Sequence, residues 1–417
     1  MTNLNVLRSS IDIGSNSILL LIARVAEIVK IVKINSYESS FDQDRNAVNR
    51  TMMSAITTGS RDRADVADSN TLTTSPFLSD IEEYSSITEL GKGINQSGIF
   101  SKHSMENTFN TLMDYKKIIQ AKGMDHTKTL VTATEAARSV SNFYKINFGQ
   151  GDLNAVNRTT MSASAKESRD RADVVDSYSF FEKIHNEIGF KVNILSTEGE
   201  AYYSSMGVCL GISNELKAKK EFMAIDLGGA STELIKIKLS NEITAAPCFS
   251  VSESVSLPIG AVRAQDFLIE NREVGESGEN KLNDYLDKMF AKEITPSFID
   301  SFKNNKIETV CLAGTFVLLA NILFGNYTTF NPSTHGLQVR SADLKTFLEM
   351  NKLLSAEKLN ENFPCLGKRA SNFIGGLMVA KKLLTYLDID KFEISTYGLK
   401  YGTLYEGEIK DEFLFKK

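Results

Sequence analysis

The sequence predicts an α/β protein made of two similar halves that face each other across a cleft, and three observations carry that expectation. Short stretches rich in Val, Ile and Leu alternate with stretches whose apolar residues recur at helical spacing. One turn design occurs twice: an apolar run ends in aspartate and passes into glycine, hydroxyl and amide residues, at 12–17 and again at 226–232. The segments that interrupt the alternation are two copies of a single polar sequence.

The strand-like stretches are Ile11 to Ile13, Thr129 to Ala133, Lys191 to Leu195, Phe222 to Asp226, Glu233 to Leu239 and Thr309 to Leu312. Each is short and bounded by turn residues, the pattern of a strand in a sheet core. Helices are expected over Ser104 to Lys122, Gly199 to Gly207, Glu279 to Glu293, Thr315 to Phe324 and Ala370 to Leu387. The chain is expected to divide into 1–204 and 205–417.

The 417 residues suit two or three domains, and 42% apolar composition suffices for packed cores, so a disordered or fibrous chain is excluded. Lys and Arg total 47 against 52 Asp and Glu, a formal charge of 47 − 52 = −5. That balance argues against a partner coated through its phosphates, such as a nucleic-acid polymer. Cys209, Cys248, Cys311 and Cys365 lie far apart, with no Cys-x-x-Cys pair, which points to a reducing compartment. The N-terminus lacks a secretory pattern, and the run Ile18 to Ala23 is stopped by Arg24, far short of the roughly 20 residues that span a bilayer. A soluble cytoplasmic protein without a membrane partner is expected.

Asn46 to Ser69 and Asn154 to Ser177 are identical at 18 of 24 aligned positions, so the same segment stands twice in one host chain. Around the copies, 42–76 and 150–177 contain no aromatic residue and one leucine each, too little apolar surface to offset the entropy of ordering. Surface insertions at about 42–80 and 150–178, both in the first half, are therefore expected. Asp62, Asp65, Asp68 and Asp170, Asp173, Asp176 recur in threes, but an EF-hand needs carboxylates two apart and a following glycine, so no metal loop is read there.

The two turns are Asp12-Ile13-Gly14-Ser15-Asn16-Ser17 and Asp226-Leu227-Gly228-Gly229-Ala230-Ser231-Thr232. Glycine admits close approach, successive backbone N–H groups form an anion nest, and hydroxyl and amide side chains add donors. An aspartate would repel a bare phosphate, so Asp12 and Asp226 are read as holders of Mg²⁺, directly or through water. Two such turns imply duplicated halves with phosphates held between them.

With these turns come Glu89-Leu90-Gly91-Lys92-Gly93, Ala133-Thr134-Glu135-Ala136-Ala137-Arg138, Ile194-Leu195-Ser196-Thr197-Glu198-Gly199-Glu200-Ala201, Leu257-Pro258-Ile259-Gly260-Ala261-Val262-Arg263, Ala313-Gly314-Thr315, Asn372-Phe373-Ile374-Gly375-Gly376 and Ser395-Thr396-Tyr397-Gly398-Leu399. In this order they make the chain resemble the Ppx/GppA family of exopolyphosphatases and guanosine pentaphosphate phosphohydrolases, within the actin, hexokinase and Hsp70-like superfamily. The resemblance covers almost the whole chain apart from the insertions. It implies two ribonuclease-H-like domains around a catalytic cleft. It also implies hydrolysis of a terminal phosphoanhydride, in polyphosphate or at the 5′ γ-phosphate of guanosine pentaphosphate, and it allows a homodimer. Glu200 falls on the family's catalytic base and Glu233 on a Glu that helps to bind metal or position water, with Glu198 as a secondary acid. Arg138 and Arg263 fall on family arginines, which bind phosphate oxygens through paired donors.

The chain departs from the family at Ala230, where the second turn has its third glycine. It departs again at Tyr202, in place of an arginine, at Asn372, in place of an aspartate, and in the segment from Ser395 to Tyr401. The thinned basic positions motivate an alternative, a non-catalytic sensor of polyphosphate or alarmone. A small-molecule kinase of the same superfamily is a second alternative, disfavoured because Ala313-Gly314-Thr315 runs into apolar Phe316 to Leu319 without a glycine-rich adenosine pocket.

Overall fold

The computed structural model describes residues 4–27, 77–148, 179–240, 249–271, 278–305, 307–327 and 334–416. Both copies of the repeated segment, their aspartate triplets and Cys248 lie outside these residues. At the edge of the first expected insertion, Leu78 to Asp80 already belong to a strand.

Two mixed sheets form the framework. Strands β1 (Leu4–Ile13), β2 (Ser17–Glu27), β3 (Leu78–Ile87), β4 (Leu130–Ala133) and β5 (Val192–Ile194) make the first, in the order β3-β2-β1-β4-β5. Strands β6 (Glu221–Leu227), β7 (Thr232–Leu239), β8 (Phe249–Leu257), β9 (Glu308–Leu312), β10 (Gln338–Arg340) and β11 (Lys391–Ile394) make the second, in the order β10-β11-β9-β6-β7-β8. In both sheets three antiparallel strands come first in the chain, and two further strands then join in parallel with the first of them. The halves thus repeat one topology, β1 to β5 matching β6, β7, β8, β9 and β11.

Parallel neighbours need long crossovers, and helices supply them. Lys102–Ala121 precedes β4, and its buried Met105, Thr108, Leu112, Tyr115 and Ile119 recur at three- and four-residue steps along one face. Ser101 starts this helix by accepting the Ser104 N–H at 3.1 Å. Glu135–Phe148 follows β4, and Gly314–Leu323 follows β9 in the second half. Ala370–Tyr386, almost wholly buried, leads to β11.

The helix after the last parallel strand of each half packs on the other half's sheet. Thr197–Gly211 sets Ala201, Val208 and Cys209 against Phe222, Ala224, Ile235 and Ile237 of the second sheet. Leu399–Glu406 sets Tyr401 and Leu404 against Leu21, Ala23 and Val25 of the first. Gly207 lies on the carbonyl of Gly398 and Gly402 on that of Tyr203, so closely that no Cβ fits at either position. The division expected after residue 204 falls inside Thr197–Gly211, which links the halves as one continuous element.

Candidate functional site

The two aspartate turns occupy equivalent places. Asp12 is the penultimate residue of β1 and Asp226 that of β6, and the Gly14 N–H bonds the Ser17 carbonyl at 3.0 Å just as the Gly228 N–H bonds that of Ser231 at 3.0 Å. Across each hairpin, Asp12 stands opposite Leu19 and Asp226 opposite Glu233. Directly opposed residues share a face of the sheet, so both aspartates and Glu233 project on the side where the turns meet.

Two of the sequence motifs hold the turns in place. The N–H groups of Thr88 and Glu89 each bond the Asn16 carbonyl at 3.1 Å, and that of Gly91 bonds the Ser15 carbonyl at 2.7 Å. In the second half the N–H groups of Ala261 and Val262 bond the Gly228 and Gly229 carbonyls, each at 2.9 Å. Glycine is required at both clamps, since a Cβ would stand 2.7 Å from Ser15 Cβ at position 91 and 2.6 Å from the Gly228 oxygen at position 260. The turns also touch: a Cβ on Gly229 would lie 3.2 Å from Asn16 Cβ.

Between them lies a crevice of about 160 Å³ lined by Asp12, Gly14, Ser15, Asn16 and Ser17 from the first half and by Asp226, Gly228, Gly229, Ala230, Ser231 and Glu233 from the second. Glu200 enters it from the first turn of Thr197–Gly211, whose start Ser196 caps by accepting the Gly199 N–H at 3.1 Å. Glu200 is 7% exposed and Glu233 is 3% exposed, so four carboxylates share one poorly hydrated space. The secondary acid Glu198 is exposed.

Burial dominates the electrostatics. It pushes Asp12 up to about 7, with the charges of Glu200 and Asp226 adding to the rise and Lys400 opposing it. Asp226 is pushed up to about 7 by burial and by Glu200, against the Ser204 hydroxyl, which donates to its Oδ2 at 3.1 Å. Glu233 rises well above the usual carboxylate range, through burial and then through Glu200 and Asp226. Its Oε1 accepts from Ser256 at 3.0 Å. Glu200 is raised by burial despite the Arg138 guanidinium 2.7 Å away.

A hard divalent cation suits this set. All four acids offer oxygen, and the buried Oδ1 atoms of Asp12 and Asn16 face the site without a hydrogen-bond partner. Among the described residues no three acidic, histidine or cysteine side chains close around an ion by themselves, so phosphate oxygens and water would have to complete the shell.

Two expected phosphate contacts sit elsewhere. Thr232 is fully buried, and its hydroxyl donates to the Ile259 carbonyl at 2.6 Å, because it lies one residue into β7 and points away from the turn. The Arg138 guanidinium stands behind Glu200 rather than in the crevice lining, held by Glu200 at 2.7 Å, Glu135 at 3.3 Å and the Leu195 carbonyl at 2.9 Å. Arg263 meets Glu135 at 3.2 Å. Ala230 has no left-handed backbone, so the missing third glycine leaves no strain. Tyr202 stacks on Phe413 at 4.4 Å and accepts from the Lys410 ammonium at 3.0 Å, and Asn372 lines the crevice.

Sequence reasoning passed over Arg369. Its guanidinium lines the crevice, donates to Ser85 Oγ at 3.0 Å across the two halves, and has no carboxylate partner among the described residues. The available signal was its position three residues before Asn372, in a motif read only for its aspartate.

The sequence model of the Ppx/GppA phosphatase family matches residues 66–145 and 171–410. The chain is 23% identical over 405 residues to the bifunctional 3-dehydroquinate synthase/phosphatase of Fusobacterium nucleatum, covering 97% of this chain and 47% of that protein. It therefore spans about half the length of that curated relative. Among solved structures, the fold resembles the Ppx/GppA family member of Aquifex aeolicus, with a TM-score of 0.58, 21% identity and 96% of each chain covered. It also resembles an exopolyphosphatase from Cytophaga hutchinsonii, with a TM-score of 0.61, 19% identity and coverage of 96% of this chain and 97% of that one. No described helix is long and apolar enough to cross a membrane.

Proposed function

The chain belongs to the Ppx/GppA phosphatase family, and from that premise we propose that it is a Mg²⁺-dependent phosphohydrolase that removes the terminal phosphoryl group of polyphosphate or of guanosine pentaphosphate. The observation that carries this reading is the convergence of Asp12, Glu200, Asp226 and Glu233 on one crevice between two glycine turns.

The terminal phosphate enters between the turns, where backbone N–H groups of residues 15–17 and 229–231 receive its oxygens. Glu200 accepts a proton from the attacking water, a task favoured by a carboxyl raised toward neutrality. Glu233 orients that water or the phosphate. When bound to Asp12, Asp226 and Glu233, Mg²⁺ would neutralise charge on the phosphate oxygens and relieve repulsion among the acids. Arg138 fixes the Glu200 carboxylate, and Arg369 supplies a cation to the phosphate chain at the crevice wall.

The test is phosphate release from long-chain polyphosphate and from guanosine pentaphosphate in parallel, with Mg²⁺ and with chelator. Release that requires Mg²⁺ and Glu200 supports the reading. Saturable binding of either anion without release would instead support the sensor, and ADP formation from ATP with a small-molecule acceptor would support the kinase.

A further inference from the structure

Beyond the residues that meet substrate, one chain of alternating charges runs between the halves. Arg263 Nη2 lies 3.2 Å from Glu135 Oε1, Glu135 Oε2 lies 3.3 Å from Arg138 Nη2, and the same nitrogen lies 2.7 Å from Glu200 Oε2. We propose that Glu135 is a positioning residue that ties the seating of the second turn to the setting of Glu200. This inference rests on the reading of Glu200 as the water-activating group.

Each end of the chain is anchored in catalytic machinery. Arg263 belongs to the first turn of Ala261–Glu270, and its own N–H, with those of Ala261 and Val262, bonds the Gly228 and Gly229 carbonyls. Its guanidinium therefore moves with the second turn. Glu135 opens Glu135–Phe148 in the first half, where a carboxylate at a helix start is favoured. Ser139, one helical turn on, donates to Glu135 Oε1 at 2.8 Å and fixes its rotamer, and Arg263 reaches the same serine at 3.3 Å. Arg138 is 4% exposed and has no room to reorient without leaving a buried charge unpaired. Among the described residues, Glu135 is the side chain that meets both guanidinium groups.

Removing the charge at position 135 leaves Arg263 with only the Ser139 hydroxyl, and leaves Arg138 with Glu200 and the Leu195 carbonyl. The second turn then loses its register against the base, and small displacements of a reacting group cost rate steeply.

Glu135→Gln keeps the side-chain shape and the serine contact while deleting both ion pairs. With the full chain and Mg²⁺, kcat is expected to fall by about tenfold to a hundredfold with KM near the parent value. Arg263→Gln should produce a similar fall and add nothing in the Glu135→Gln background, and Arg263→Lys should recover part of the rate. Amide hydrogen exchange over 228–231 and 261–264 should quicken in Glu135→Gln, whether or not a substrate has been found. Unchanged exchange together with unchanged kcat, or rate losses that multiply in the double variant, would overturn the coupling. Absence of phosphate release by the parent protein is a different result: it removes the functional reading, and the exchange measurement then decides the coupling alone.

Discussion

Asp226 and Glu233 face each other across the β6–β7 hairpin, whereas the equivalent pair on β1 and β2 is Asp12 and Leu19. The duplicated halves thus differ by one carboxylate at matched positions. Only the second half places two acids beside its turn, so the chemical asymmetry of the crevice is built into an otherwise symmetric frame.

Glu233→Leu converts the second hairpin to the pattern of the first. Phosphate release is expected to fall by about 10²- to 10⁴-fold. Without Mg²⁺ the variant should melt higher than the parent at pH 8, because a buried acid held far from its ordinary titration range is gone. A lower melting temperature at pH 8 would show that Glu233 stabilises the apoprotein.

Glu200→Gln should lower kcat by about 10²- to 10⁴-fold and leave KM close to the parent value, since the amide keeps the shape but cannot accept a proton. A variant turning over at the parent rate would remove Glu200 from the reaction.

Mg²⁺ and pH should act together on stability. In the folded chain Asp12 and Asp226 keep their protons up to about 7, while in the unfolded chain they titrate near 3.8. Between these values the folded state binds more protons, so these two groups lower stability as pH rises, each by on the order of a few kcal/mol. A cation that pairs with the ionised acids should reverse this. Urea midpoints with Mg²⁺ minus those with chelator should be larger at pH 8 than at pH 5, and an equal difference at both would count against a cation at these carboxylates.

Gly260→Ala should destabilise the protein by about 1–3 kcal/mol and raise KM, because its Cβ meets the Gly228 and Gly229 backbone at 2.6 Å and the backbone cannot yield as a side-chain end can. Ala230→Gly, at a position with ordinary backbone, should leave KM unchanged and lower stability by only about 0.5–1 kcal/mol, through the greater freedom of the unfolded chain. A neutral Gly260→Ala would mean that the second turn does not depend on its clamp.

Much of this was written in the chain. The alternating pattern set the α/β class, and all six expected strands and all five expected helices occur, with ends displaced by a few residues or, at Ile11 to Ile13, extended back to Leu4. Five further strands, β2, β3, β8, β10 and β11, were not expected; β3 and β8 carry a polar, half-buried alternation, with exposed or intermediate positions along most of their length. Both turns, with Asp12 and Asp226, were legible because each is local: a strand end, a glycine and a few hydroxyls lie within about ten residues, whereas Glu200 and Glu233 were read from the resemblance to the family.

What tertiary structure decided is which charges meet. The resemblance made Arg138 a phosphate ligand, but the packing of Thr197–Gly211 on the second sheet, just past β5, sets Glu200 beside it, 62 residues on. Arg369 reaches the crevice only because the second half folds over Ser85. Glu135 finds Arg263 from 128 residues away. Hydrophobic periodicity fixes a residue's face on its own strand or helix, since it follows from backbone geometry over a few residues. The partner of a buried charge follows from how two folded halves close on each other, and that depends on every packed contact between them.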